Sequence, residues 1–410
     1  MQIYKNRRNK LLESIRVRDE GLVVLFAGFE QERTEFVQDS TFYYFTGINE
    51  PGVVLLIDIL TSKTKLLIPK FATNRADWVI QENFKDGIDE VDFLGDEISG
   101  YSAKPFFAEN GYKNLIKIVS ESKNIFSACP ENVSFYSEQK FILERLNKFV
   151  PNLNEKLRDI SLQIAQMRQV KDQQEIELIY KAVDITTMAF EAAQDAIKDG
   201  ATEAEVKAAI EFIFTAAEAQ KAFPSIVASG KNSTVLHYTG GEKELKSGEL
   251  VVVDIGAMYK HYCADLTRTF VVSGRGSRGS AGAETGEFTK RQKEIFDLVL
   301  KTQEYIASIA RPGMWLSNAD HKDKSLNHLA KEFLKEKGYD KYFIHGIGHY
   351  LGLDVHDVGD YSQPLQKGQV FTIEPGIYIP KEQIGIRIED DYWVVEDGVV
   401  CLSENLPKII

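Results

Sequence analysis

The sequence predicts an α+β protein of two domains. Apolar strand patterns and helical patterns alternate up to about residue 155, and beyond that helices are interleaved with antiparallel hairpins that carry acidic residues. A chain of 410 residues is long enough for two domains with separate hydrophobic cores. We therefore expect a smaller α/β N-terminal domain, 1–155, and a larger α+β domain, 156–410.

In the N-terminal domain, short apolar runs mark the strands. The runs at 21–26 and 53–59 are rich in Val, Leu and Ile and predict buried strands. The run at 65–68 follows the second one closely enough to close a hairpin.

Three long helices are expected in the second domain. Asp172 opens a helix that ends at Gly200, and Thr202 with Glu205 forms a capping box that starts the next one. A third helix runs from about 291 to 310, where a Pro-Gly pair stops it.

A first pair of acids lies on a predicted hairpin. Asp254 ends the apolar run 250–253, and Asp265 begins the run 265–270. A turn at 259–260 would set the two aspartates directly opposite each other on an antiparallel pair, with Cβ atoms roughly 4.5–5.5 Å apart. Two carboxylates so close repel each other unless a cation lies between them.

A second pair repeats this arrangement. Glu374 ends an alternating run, and Glu389 ends another in which isoleucines take one face. A turn near 381–382 would set Glu374 opposite Glu389. Arg387 lies on the same face as Glu389, and we expect it to brace that carboxylate.

The histidines are few and concentrated. Of seven, three fall in the glycine-rich run 344–357, namely His345, His349 and His356, and His237 lies upstream of the first acid pair. The glycines of that run argue against a helix. A hydrolytic metal site needs donors that stabilise an oxyanion, and imidazoles supply them near pH 7. We therefore assign one histidine to metal and others to substrate.

Four carboxylates and one imidazole form an oxygen-rich set suited to a pair of divalent ions, Mn²⁺ above all. For any one of these acids alone, a solvated position on a half-buried strand is the better interpretation. Two acid pairs together with a glycine-flanked histidine favour the metal site. The candidate ligands are Asp254, Asp265, His349, Glu374 and Glu389.

The motifs that contain these residues resemble the pita-bread metallopeptidases, and most closely the Xaa-Pro aminopeptidases (aminopeptidase P), with the prolidases close behind. The resemblance extends from about residue 167 to the C-terminus, and the motif at 36–47 is similar to the N-terminal domain of aminopeptidase P. Methionine aminopeptidases share the ligand types but resemble neither that motif nor the run 351–357. The resemblance implies a pita-bread fold for the second domain.

The resemblance also implies a role for each metal ligand. Asp254 would chelate one metal ion, while Asp265 and Glu389 would bridge both. His349 and Glu374 would complete the other ion, and Glu374 would also act as the base for the bridging water.

Five more residues receive roles in the same way. His237 and His356 match histidines that contact the substrate and stabilise the tetrahedral intermediate. Arg387 matches an arginine that supports the ligands. His345 matches a histidine near the substrate pocket, and Tyr378 a tyrosine close to the active site.

The implied activity is that of a dinuclear metal-dependent exopeptidase that hydrolyses the N-terminal Xaa-Pro bond of peptides by attack of a metal-bridging hydroxide. The expected cofactors are two Mn²⁺ ions, with Zn²⁺, Co²⁺ and Fe²⁺ as alternatives. A prolidase, which cuts Xaa-Pro dipeptides only, is the nearest alternative, and a non-catalytic peptide-binding module is a more distant one. The resemblance further implies a homodimer or homotetramer.

The amino-acid composition limits the binding partners and the cellular location that we expect. A net charge of −12 disfavours nucleic acid and anionic membranes. Three widely spaced cysteines are typical of reduced thiols, and with no signal peptide or transmembrane segment expected, we predict a cytoplasmic protein. The Gly/Ser/Arg-rich stretch 273–287 is typical of a solvated surface loop.

Overall fold

The computed structural model describes residues 2–15, 20–31, 35–79, 87–104, 109–130, 136–274 and 286–409. Most of the Gly/Ser/Arg-rich stretch, 275–285, therefore lies outside the described residues. The chain divides into two compact units, Met1–Met167 and Arg168–Ile410. The domain boundary between residues 155 and 156, which the sequence suggested, stays a prediction.

The first unit is built on a six-stranded mixed sheet of order β4-β3-β2-β1-β5-β6. Its strands are β1 (Leu22–Phe26), β2 (Val54–Asp58), β3 (Thr64–Ile68), β4 (Glu90–Phe93), β5 (Ile125–Ser127) and β6 (Leu157–Asp159). Its helices are α1 (Gln2–Ile15), α2 (Ser40–Thr46), α3 (Lys113–Glu121), α4 (Ser137–Leu146) and α5 (Leu153–Lys156), and α6 (Ser161–Gln169) leads into the second unit.

The expected strands of this unit are confirmed. β1, β2 and β3 pair antiparallel in sequence, so the run at 65–68 does close a hairpin. Alternate residues of β1, Val24 and Phe26, pack with residues of α3 and α4 such as Leu115 and Leu143 in one buried core.

Among its described residues, the second unit combines four α-helices with short sheets. The helices are α7 (Gln173–Ala196), α8 (Glu203–Ala216), α9 (Lys290–Ile309) and α10 (Leu326–Glu336). The strands are β7 (Gln220–Lys221), β8 (Ile226–Ser229), β9 (Leu250–Ile255), β10 (Ala257–Tyr259), β11 (Tyr262–Cys263), β12 (Leu266–Val271), β13 (Val370–Ile373), β14 (Gly376–Ile379), β15 (Ile384–Arg387), β16 (Asp390–Val394) and β17 (Val399–Cys401). The sheets have the orders β11-β10-β7, β12-β9-β8, β13-β16-β17 and β14-β15.

Capping explains where the three expected helices begin. Asp172 caps α7 in a capping box, Thr202 with Glu205 forms the predicted box of α8, and Thr289 with Gln292 forms a box at the start of α9. α7 ends at Ala196, earlier than the expected Gly200, because the backbone of Lys198 forms a bridge to Ser273.

The predicted register of the first hairpin is wrong by two residues. The turn lies at Lys260 and His261, which both have positive φ, one residue later than expected. Asp254 therefore faces Thr267 rather than Asp265. Because side chains alternate with a period of two, the shift leaves Asp265 on the same side of the sheet as Asp254.

The predicted register of the second hairpin is confirmed. The pairs on either side, Ile373 with Asp390 and Gly376 with Arg387, belong to one register that sets Glu374 across from Glu389. The two glutamates lie where the ladder is interrupted between β13 and β14. None of the described helices combines the length and the apolar character needed to cross a membrane.

Candidate metal centre and active site

The five candidate ligands come from separate parts of the second unit and meet in one pocket. Asp254 lies on β9 and Asp265 just before β12, while Glu374 and Glu389 occupy the ladder interruption and His349 lies in an irregular segment before β13. All five line a cavity of about 640 Å³.

Backbone contacts fix His349 beside Glu374. The carbonyl of His349 accepts from the N–H of Thr372 at 2.9 Å, and that of Ile347 accepts from the N–H of Glu374 at 2.8 Å. A Cβ atom on Gly348 would lie 1.9 Å from the carbonyl oxygen of Thr372. Only glycine permits this approach, which explains why the histidine follows a glycine.

The donor atoms fit divalent cations. Ligand atoms of Asp265, His349 and Glu389 all lie within 4.8 Å of one another. The Nε2 atom of His349 is 3.4 Å from Oδ2 of Asp265 and 3.7 Å from Oε1 of Glu374. Oδ1 of Asp254 is buried and has no hydrogen-bond partner among the described residues. A bound cation would satisfy this oxygen and the crowded carboxylates together.

Burial and mutual repulsion perturb the acids. Burial, reinforced by Asp265, raises the pKa of Asp254 to about 6 against the attraction of Arg387. Burial also raises the pKa of Glu374 to about 7, although His349 and Arg387 oppose the change.

The pKa values of Glu389 and His349 are shifted by the same physical causes. Burial and the neighbouring Asp265 and Glu374 raise the pKa of Glu389 well above its ordinary value. Burial alone would lower the pKa of His349, but its contact with Asp265 and the carboxylate of Glu374 outweigh this and raise the pKa to about 9. Without metal, the site therefore retains protons that a cation would displace.

Arg387 braces a different carboxylate from the one expected. Its guanidinium donates to Oδ2 of Asp254 at 2.5 Å and to the hydroxyl of Tyr378 at 2.7 Å. Thr267 supports Glu389 instead, through a hydroxyl that donates to Oε2 at 2.7 Å and accepts from Nε of Arg387 at 3.2 Å. Arg387 therefore contacts Asp254 directly and reaches Glu389 only through Thr267, although its charge still stabilises the Glu389 carboxylate.

The sequence interpretation missed Thr267. Its position two residues after Asp265, on the same strand face, is the pattern that could have revealed it.

Three more histidines lie around the ligands. His237, His345 and His356 line the same cavity, and the rings of His349 and His356 stack with centroids 4.0 Å apart. Burial, with a further effect of Arg387, lowers the pKa of His345 to about 4, and burial followed by His349 lowers the pKa of His356. We therefore expect both rings to be neutral near pH 7.

The structure brings together all ten predicted site residues. Nine line the cavity, and Tyr378 is buried behind them, where its hydroxyl lies 2.9 Å from Nε2 of His345. The segment 344–352 contains no helix, as its glycines predicted.

One wall of the cavity is apolar, and it was not anticipated. It includes Phe223, Ile226, Leu236 and Val355. Leu236 and Val355 each directly precede a pocket histidine, a sequence signal that connects them to the site. The cavity therefore offers a polar cluster on one side and an apolar surface beside it, as expected of a site for a partly apolar small ligand.

A buried cluster of four carboxylates and one imidazole, open to a pocket with further histidines, defines a metal-dependent hydrolase. Comparison with known proteins identifies the family of hydrolases. Residues 177–396 match the model of metallopeptidase family M24, and residues 4–94 match the aminopeptidase P N-terminal domain. The protein belongs to metallopeptidase family M24.

Relatives of known name agree with this assignment. An Xaa-Pro aminopeptidase of Escherichia coli is 30% identical over 99% of this chain and 95% of the relative. An Xaa-Pro dipeptidase of Pyrococcus furiosus is 38% identical over 73% of this chain and 80% of the relative. The solved structure of proline aminopeptidase P II from Yersinia pestis superposes with a TM-score of 0.81 at 26% identity, covering 99% of this chain and 97% of that one. The expected fold, an N-terminal domain followed by a pita-bread domain, is confirmed.

Proposed function

We propose that this protein is an Xaa-Pro aminopeptidase, which hydrolyses the bond between the first residue of a peptide and a proline in the second position. One observation carries the proposal: the ligand cluster, two histidines and an apolar wall open onto the same cavity. The resemblance to aminopeptidase P along almost the whole chain supports it.

Two divalent ions would be held by the five candidate ligands. Four carboxylates against one imidazole favour Mn²⁺, with Zn²⁺, Co²⁺ or Fe²⁺ as substitutes. When bound, the ions supply Lewis acidity toward the scissile carbonyl and lower the pKa of the attacking water.

The chain's own residues do the remaining chemistry. Glu374 accepts the proton of the attacking water and delivers it to the proline nitrogen, the role of a general base that then acts as an acid. His237 and His356 stabilise the developing oxyanion. Arg387 holds the carboxylate of Asp254 and the hydroxyl of Tyr378 in place.

Specificity for proline follows from what the pocket offers. An Xaa-Pro bond lacks an N–H, so a peptidase that must bind that hydrogen rejects it. Phe223, Leu236 and Val355 instead provide apolar surface for a pyrrolidine ring.

Prolidase activity is the second candidate, because the Pyrococcus furiosus dipeptidase is also a close relative. The experiment that tests both is a peptide panel offered to protein reconstituted separately with Mn²⁺, Co²⁺ and Zn²⁺. Cleavage of Xaa-Pro-Yaa and longer peptides supports the aminopeptidase. Cleavage of Xaa-Pro dipeptides alone supports the prolidase, and metal-loaded protein that binds peptides without cleavage supports a binding module. Xaa-Ala-Yaa peptides serve as the control for proline specificity.

We also propose a cytoplasmic location and a homodimer or homotetramer. The location is supported by three cysteines that are all free thiols. Light scattering of the purified protein tests the oligomeric state.

A further inference from the structure

A buried carboxylate away from the metal cluster stands out. Glu203, in the first turn of α8, is fully buried. Its Oε1 accepts from the N–H and the hydroxyl of Ser229, both at 2.8 Å, and from the amide of Asn232 at 3.0 Å. Its Oε2 accepts from the hydroxyl of Tyr238 at 2.8 Å. Four donors and the positive end of the helix dipole compensate the charge for its burial.

All four donors belong to residues 229–243, which we call the His237 segment. Most of this segment has irregular backbone, and it passes around the first turn of α8. The N–H groups of Glu203 and Ala204 donate to the carbonyls of Lys243 at 3.0 Å and Gly241 at 2.9 Å. α8 therefore holds the segment through backbone and side chain together.

His237 depends on this support. Among the described residues, no hydrogen bond holds its imidazole, which is exposed in the cavity. Its chain neighbour, Tyr238, is anchored to Glu203. Fixing Tyr238 fixes the backbone from which the imidazole of His237 extends.

We propose that Glu203, acting through Tyr238, is a positioning residue for His237. The proposal rests on the proposed function, in which His237 contacts the substrate. Loss of the Glu203–Tyr238 bond leaves the metal ligands untouched but allows the imidazole to leave the position in which it meets the oxyanion. Transition-state stabilisation therefore falls, while metal binding does not.

Two variants and a matched control test this. Glu203→Ala removes the whole anchor, and Tyr238→Phe removes only the hydrogen bond next to His237. The control is Glu205→Ala, in the same helical turn, because the Glu205 side chain joins the capping box with Thr202 but none of the four bonds. For each variant, bound Mn²⁺ and the kcat and KM on an Xaa-Pro-Yaa peptide are measured. Each variant is made both alone and in combination with His237→Ala.

We expect Tyr238→Phe to lower kcat about tenfold, the order of effect of one hydrogen bond to a charged group, with KM and Mn²⁺ content nearly unchanged. In the His237→Ala background the same substitution should have almost no further effect. Glu203→Ala should behave likewise but more strongly, and Glu205→Ala should keep the activity of the unmodified protein. If Glu203→Ala does not fold, Tyr238→Phe decides.

A structural readout does not depend on activity. In protein labelled with ¹⁵N-histidine, the ring signal absent from His237→Ala identifies His237, and it should shift or broaden in Tyr238→Phe while the signal of His349 stays. A Tyr238→Phe effect that persists undiminished in the His237→Ala background would overturn the positioning role alone. Full activity of His237→Ala would instead remove the substrate role of His237, and the inference with it.

Discussion

Without metal, the stability of this protein should fall as the pH rises from 5 to 8. Asp254 and Glu374 have pKa values that burial raises to about 6 and about 7, so the folded state binds more protons than the unfolded state in that range. An acid with a raised pKa does not lower the free energy of unfolding at a pH below its pKa in the unfolded state. It lowers that free energy by the full amount at a pH above its pKa in the folded state. His349 acts in the same direction, because the stability from its raised pKa is lost as the pH climbs toward about 9.

The size of the effect follows from these values. A pKa that moves from 3.8 to about 6 corresponds to about 3 kcal/mol of stability lost as Asp254 ionises, about half of it above pH 5. Glu374 shares the same repulsion, so we expect the total to remain on the order of 3 kcal/mol rather than twice that. For a unit the size of Arg168–Ile410, this is a fall of about 6–12 °C in Tm.

Thermal unfolding of chelator-treated protein at pH 5, 6, 7 and 8, with and without added Mn²⁺, measures this. Bound metal requires deprotonated ligands, so Mn²⁺ should raise Tm most at pH 8 and reverse the trend. Glu374→Gln in the metal-free protein should make the fall smaller, because one titrating acid and its repulsion are gone. A metal-free Tm that is flat or rises between pH 5 and 7 would refute the electrostatic reasoning.

Other predictions concern single side chains. Glu374→Gln should reduce kcat on Xaa-Pro peptides by about 10³-fold or more in a folded protein, because it removes the proposed base and a ligand; near-normal turnover would refute the assignment. Asp357→Asn should lower the free energy of unfolding by about 3 kcal/mol in a urea titration, because Arg168 and Lys171 lose the buried anion that they contact at 2.6 and 3.1 Å. Thr267→Val should weaken Mn²⁺ binding about tenfold by calorimetry, because Glu389 loses its hydroxyl donor; unchanged affinity would assign Thr267 a packing role only.

The sequence predicts local structure here well, because the determining interactions are themselves local. The capping boxes at Asp172 and Thr202 involve residues three apart, so their helix starts could be predicted directly. The early end of α7 could not, because a contact with Ser273 causes it.

Hairpin register shows the same division. Glu374 and Glu389 face each other as predicted because the turn at 381–382 was placed correctly, and one register runs through both neighbouring strand pairs. For Asp254 and Asp265, a turn misplaced by one residue was enough to change the opposing partner. The periodicity preserved the side of the sheet, and so the set of candidate ligands, but not the pairing.

Within the site, it was easier to predict which residues take part than which of them contact one another. The candidate ligands could be selected by chemistry, whereas the partner of Arg387 depends on which strands lie side by side. The apolar wall at Phe223 and Ile226 depends in the same way on tertiary packing, for which the sequence holds no local pattern.

The close approach at Gly348 also bears on how variants of this protein would be interpreted. A larger residue there would push His349 away from the strand that carries Glu374, so its loss-of-function phenotype would match that of losing a ligand. A mutational scan scored by growth or by activity alone would therefore place Gly348 inside the catalytic set, although it contributes no atom to the chemistry.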